Sequence, residues 1–147
     1  MIQHQCPGVV IFKMNELKVI QFAEKEYKKP FEWGKNDCNT LVLNYLDKIY
    51  GSDTFIKIAY KKYSSLKEAI KFQKEYEVRL TNFCLGLGLK KIPANKARTG
   101  DILIIEEKNF EIGHICLGSL VLSVVIDETT DMAKIPSFNE FDHGLRL

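Results

Sequence analysis

The sequence predicts an α+β fold in which N-terminal helices pack on a C-terminal antiparallel sheet. Apolar residues recur at helical spacing through the first half, whereas from Asp101 onward the chain turns to β-branched runs broken at short intervals by turn residues. A length of 147 residues, with 46% hydrophobic and 27% charged side chains, suits one domain spanning 1–147 that can bury a core.

Residues from about Met14 to Tyr27 make the first expected helix, with Leu17, Ile20 and Ala23 at helical spacing and Pro30 blocking any continuation. The second helix is the clearest. Cys38, Leu41, Val42, Tyr45, Leu46 and Ile49 fall on one face, Asn36 or Asp37 can cap the start, and Gly51 supplies a stop. Asp53 to Ala59 reads as a short helical piece. Ser65 and Glu68 then form a capping box for a third helix, which runs through Leu66, Ala69, Ile70 and Gln73 toward Glu77. "CLGLGLKKIPANKARTG", Cys84 to Gly100, reads as an irregular connection. Strands follow at DILIIEE, GHICLGS and VLSVVID, and short edge strands are expected at Met132–Pro136 and Gly144–Leu147.

Twenty-one Lys and Arg against nineteen Asp and Glu leave a formal charge of +2, spread along the chain. Nucleic acid is therefore not an expected partner. No apolar run is long enough for a membrane span, and Pro7 and Lys13 interrupt the place where a signal peptide needs an apolar stretch, so a soluble product is expected. Cys6, Cys38, Cys84 and Cys116 stand far apart, a poor disulfide framework and a poor zinc site. "GLGLKK" lacks a third glycine and follows a helix, which makes it a poor phosphate cradle. No cofactor is expected.

The chemistry-bearing candidate is Cys38. A thiol in the first turn of a helix faces the positive end of the macrodipole and unpaired N–H groups, both of which favour thiolate. Trp33 and Gly34, in the loop before it, can wall a substrate groove. The plainer reading is that a cysteine on an apolar helical face is usually core. A nucleophilic thiol also needs a base. His114 is the best placed of His4, His114 and His143, because strand alternation puts it on one face with Ile112 and Cys116; the other two read as surface residues near the termini. Ser123 and Asp127, on or just past the next strand, have the parity to orient the imidazole, although strand packing and a turn are the plainer accounts of them.

"PFEWGKNDCNTLVLNYLDKIYGSD", Pro30 to Asp53, followed by "ARTGDILII" and "GHICLG", resembles the order of parts in papain-like cysteine peptidases of the NlpC type, closest to small phage and prophage tail-associated members. In that family a "WGxxDC" loop leads into the helix bearing the nucleophile, a "GD" turn opens the sheet, and a histidine strand ending in glycine follows. The resemblance implies a papain-like fold with Cys38 as nucleophile and His114 as base. It places Ser123 near the third catalytic position and Trp33, Gly34 and Asp37 beside the substrate. The implied activity is hydrolysis of amide bonds in peptidoglycan stem peptides through a thioester. The implied location is the phage virion tail after synthesis in the bacterial host cytoplasm, with other tail proteins as further partners. Two departures stand out. The family histidine lies six residues before the closing glycine of its strand, whereas His114 lies four before Gly118, and the position near Ser123 lacks the family's usual histidine or asparagine. Some small phage relatives keep the fold and lose part of the triad, so a structural tail component is the alternative to an enzyme. A binding module or inhibitor of host enzymes is a third class.

Overall fold

The helix that begins at Cys38 organises the molecule. The computed structural model describes the backbone of residues 7–75, 79–108, 110–135 and 137–147, with side chains from Glu16 onward. Helix α2 runs Cys38–Tyr50, opened by Asp37 as N-cap and closed by Gly51. Leu41, Val42, Tyr45, Leu46 and Ile49 are buried as their spacing predicts, but Leu43, Asn39, Thr40 and Asp47 are buried as well. Neighbours enclose α2 on several sides. Each aliphatic side chain so buried contributes roughly 1.5–3 kcal/mol.

Helix α1 spans Pro7–Glu26, a longer element than the periodicity suggested. Its inward stripe is also different. Val19, Phe22, Ala23 and Glu26 are buried, whereas Leu17 and Ile20 are 56% and 51% exposed. Of the expected stripe only Ala23 faces the core, because the contact with α2 selects the face through Phe22, whose ring meets Tyr45 edge-on at 5.4 Å. A single 3₁₀ turn, Ile56–Ile58, is what remains of the short helical piece. Helix α3 covers Leu66–Glu75, with Ser65 Oγ accepting from the Glu68 amide at 3.1 Å, one arm of the expected capping box, while Glu68 Oε1 accepts from the Ser64 and Ser65 hydroxyls. Ala69, Phe72 and Gln73 are buried, and Leu66 is exposed.

The sequence reading missed helix α4, Leu80–Gly86, and strand β1, Lys90–Ile92, both of which overlap or adjoin the glycine-rich stretch read as irregular. Strands β2 (Ile102–Glu107), β3 (Phe110–Cys116), β4 (Leu120–Val124), β5 (Thr130–Lys134) and β6 (His143–Arg146) complete one six-stranded antiparallel sheet in the order β1-β6-β2-β3-β4-β5. β5 is the expected edge strand, shifted by two residues. β6 is not an edge: it pairs with β1 and β2 together. The class is α+β. No helix among the described residues is long and apolar enough to cross a membrane.

The two faces of the sheet bury different sets. Ile102, Ile104, Ile115, Leu122 and Leu145 pack toward α1, α2 and α4, while Leu103, Cys116, Val121 and Phe141 form a smaller cluster on the opposite face. Gly113 on β3 allows the close approach of α2, since a Cβ there would stand 2.4 Å from Val42 Cγ2.

Candidate functional site

Asp37 builds the start of α2. Its Oδ1 accepts from the amides of Asn39 at 2.9 Å and Thr40 at 3.0 Å, and Thr40 Oγ1 accepts from the Asp37 amide at 2.8 Å, a reciprocal capping box. Its Oδ2 accepts from the Gly34 amide at 2.7 Å, and Tyr63 OH donates to Oδ1 at 2.9 Å. The carboxylate is thus held by the fold and 1% exposed, and Asp37 also stands in the wall of the cleft that Trp33 lines. Gly34, by contrast, does not line that cleft, which corrects its expected place in a groove wall. It is buried at φ +80°, and a Cβ there would sit 2.3 Å from the Tyr63 carbonyl oxygen, so it closes the loop against the 59–64 segment instead of lining a groove.

Trp33 does line a groove, stacked edge-on to Phe31 with ring centroids 4.8 Å apart. The cleft has a volume of about 260 Å³, and Cys38 is in its wall with Trp33, Ile70, Phe110, Ile112 and Val124. The loop, the helix start and the strand meet here as the sequence suggested.

Cys38 itself is not activated. Burial and the neighbouring Asp37 carboxylate push its thiol up to about 12, against the opposing pull of the amides of Gly113, Cys38 and Asn39. The helix-start effect is present, but desolvation outweighs it, and the N-cap carboxylate has already countered the local positive potential. At neutral pH the sulfur is a protonated thiol among apolar side chains, 8% exposed.

His114 is on the wrong face to help. Its Nδ1 lies 3.3 Å from the Leu103 carbonyl oxygen, and its ring meets Phe141 edge-on at 5.2 Å, inside the cluster on the face away from α2. Burial lowers its pKa, so the ring is neutral. Gly113, its neighbour, faces α2, and strand alternation turns His114 away. Ser123 shares parity with Val121 on that same far face, opposite Asp131 of β5. The expectation that Cys38, His114 and Ser123 converge is therefore corrected: His114 and Ser123 belong with Phe141 and Val121, and neither lines the cleft that holds Cys38. The residue six positions before Gly118 is Ile112, which shares the cleft with Cys38. Asp127, at φ +65°, is the turn residue it was read as. Cys84 packs in the main core, and His4 and Cys6 lie outside the described residues.

A polar network behind the cleft was not legible in the sequence. Tyr63 OH, which donates to Asp37, also accepts from Asn39 Nδ2 at 3.3 Å, and Asn39 Oδ1 accepts from Gln73 Nε2 at 2.6 Å. Gln73 then holds the edge of β3 at two points, donating to the Glu111 carbonyl at 3.0 Å and accepting from the Glu111 amide at 2.9 Å. The Glu111 side chain in turn accepts from the Thr81 amide at 3.0 Å and from its hydroxyl, and Thr81 Oγ1 is 2.8 Å from His143 Nε2. His143, expected at the surface, is buried as part of this cluster. Its pKa is lowered by burial and then by Lys91, against Glu111, Asp142 and Glu106. The only sequence signal was Gln73 falling on the inward face of α3.

Residues 14–138 match a family described as a domain of unknown function, DUF6950, and the chain belongs to that family. No curated protein matches it significantly.

Proposed function

From the order of motifs and the geometry around Cys38, we propose that the chain, a member of DUF6950, is a catalytically impaired structural component of a phage tail, built on a papain-like fold of the NlpC type. One observation carries the reading: where the resemblance places the imidazole, six residues before Gly118, Ile112 stands beside Cys38. An isobutyl-sized aliphatic group cannot accept a proton, and a thiol held at about 12 is not a nucleophile at neutral pH. The order of a Trp-Gly loop, a cysteine-headed helix, the Asp101 turn and the glycine-closed strand supports the scaffold. The tail location rests on the resemblance of Trp33 to Cys38 and its flanks.

The hydrolase reading keeps one support, the three amides that favour the Cys38 thiolate. Clearing of purified peptidoglycan separates the two. Wild type and Cys38→Ala are expected to be equally inert on the wall, and virions carrying Cys38→Ala are expected to assemble with the protein in fixed stoichiometry and to infect. Lysis by wild type that Cys38→Ala abolishes would return the chain to the hydrolases.

A further inference from the structure

We propose that the cleft beside Cys38 receives an extended apolar peptide segment of a partner protein, which adds to the free edge of β4; this rests on the non-catalytic reading above. The β3–β4 ladder stops early. Its pairs are Ile115 with Leu122 and Cys116 with Val121, although β3 begins at Phe110 and β4 continues to Val124. The sheet splays at that point.

The two arms of the splay differ in what their backbones still need. On β3 the Glu111 amide and carbonyl are already engaged by Gln73, and the Gly113 amide neighbours the Cys38 sulfur. On β4 the alternation is fixed by two bonds. The Leu117 amide donates to the Leu120 carbonyl on the β3 side, and the Val125 amide donates to the Thr129 carbonyl on the β5 side. Val124 therefore directs its N–H and C=O toward β3, beyond the last pair, along a cleft whose walls are apolar. A backbone donor and acceptor facing an apolar cleft need a partner, and a strand supplies both with one residue.

The side-chain chemistry agrees. Phe31, Trp33, Ile70 and Ile112 line the cleft and half-exposed Leu66 and Ile126 extend it outward, so an aliphatic or aromatic side chain fits it. At about 260 Å³ the space falls below that of ordinary small-molecule sites, around 300–1,000 Å³, and suits one large side chain. Lys108 and Glu107 at the rim carry opposite charges and the Asp37 carboxylate also stands in the cleft wall, which disfavours the anionic stem peptides of peptidoglycan and suits a neutral segment.

Trp33 is the sole tryptophan and stands in the cleft, so its emission reports occupancy in the full-length protein. The probe is the end-blocked peptide acetyl-Thr-Val-Phe-Val-Thr-amide, titrated beside a copy N-methylated at the central phenylalanine and beside decanoate, with the peptide recovered for mass spectrometry. The expected result is a saturable emission shift with the plain peptide, weakened about tenfold by N-methylation because one backbone bond is lost, and an intact peptide. No shift with the plain peptide at millimolar concentration would overturn the proposal. So would equal binding of the methylated copy, a shift with decanoate alone, or a shift on simply concentrating the protein, which would assign the cleft to an acyl chain or a second copy. A bound peptide recovered cleaved would support the peptide site and overturn the non-catalytic reading instead.

Discussion

Cys38 shows how one side chain can answer to opposed fields. The amides of Cys38, Asn39 and Gly113 favour the thiolate, burial and Asp37 disfavour it, and the second pair wins. Iodoacetamide at pH 7 is therefore expected to modify Cys38 no faster than an unstructured thiol peptide, with the rate rising only toward strongly alkaline pH; mass spectrometry of the alkylated peptide checks this. Asp37→Asn removes the adjacent charge, so the same assay is expected to show faster labelling. Asp37→Ala is expected to cost about 2 kcal/mol or more, the loss of an N-cap with the Tyr63 hydroxyl and the Gly34 amide left without their acceptor, and denaturant melts measure it. Cys38 stands where the start of α2 meets Gly113 of β3, and its side chain forms part of the cleft wall.

At the scale of elements, α3 takes the place of a strand. Where β4 leaves β3, Gln73 presents its amide to Glu111 as a neighbouring backbone would, so the exposed edge of β3 is covered without a ladder. Gln73→Leu keeps the volume and removes both bonds. The expected loss is about 2–3 kcal/mol in urea or guanidinium unfolding, since a buried N–H and C=O are left unpaired and Asn39 loses its donor. Gly113→Ala acts on the α2–β3 contact. Its methyl would have to displace Val42 and Leu80, and overpacking of this kind costs about 1–3 kcal/mol.

Across the whole molecule the two described histidines set a pH dependence. Burial lowers the pKa of His114 and of His143 below the value each has in the unfolded chain, near 6.5. Between the lowered folded pKa and about 6.5 the unfolded chain binds more protons than the folded one, so this contribution is complete above about 6.5 and is lost as pH falls through the window. Unfolding midpoints are expected to drop from pH 7 to pH 5, and His114→Leu is expected to flatten that slope. A slope unchanged by His114→Leu would assign the acid sensitivity elsewhere. The location of the two rings explains the pairing: His114 is enclosed by Leu103 and Phe141 on one face of the sheet, and His143 by Thr81 and Glu111 on the other.

By itself the sequence determined the α+β order, the extent of α2 with its Asp37 cap and Gly51 stop, the Ser65 cap of α3 and the three middle strands, because periodicity, caps and turn residues act within a few residues of one another. It also brought the Trp33 loop, the Cys38 helix and β3 to one place. Tertiary structure alone decided the rest. Which stripe of α1 faces inward, the interior place of β6, the existence of β1 and α4, and the faces of Cys38 and His114 all depend on partners distant in the chain. Strand parity put His114 with Ile112 and Cys116, but only the packing of α2 against Gly113 settled which side of the sheet that parity meant.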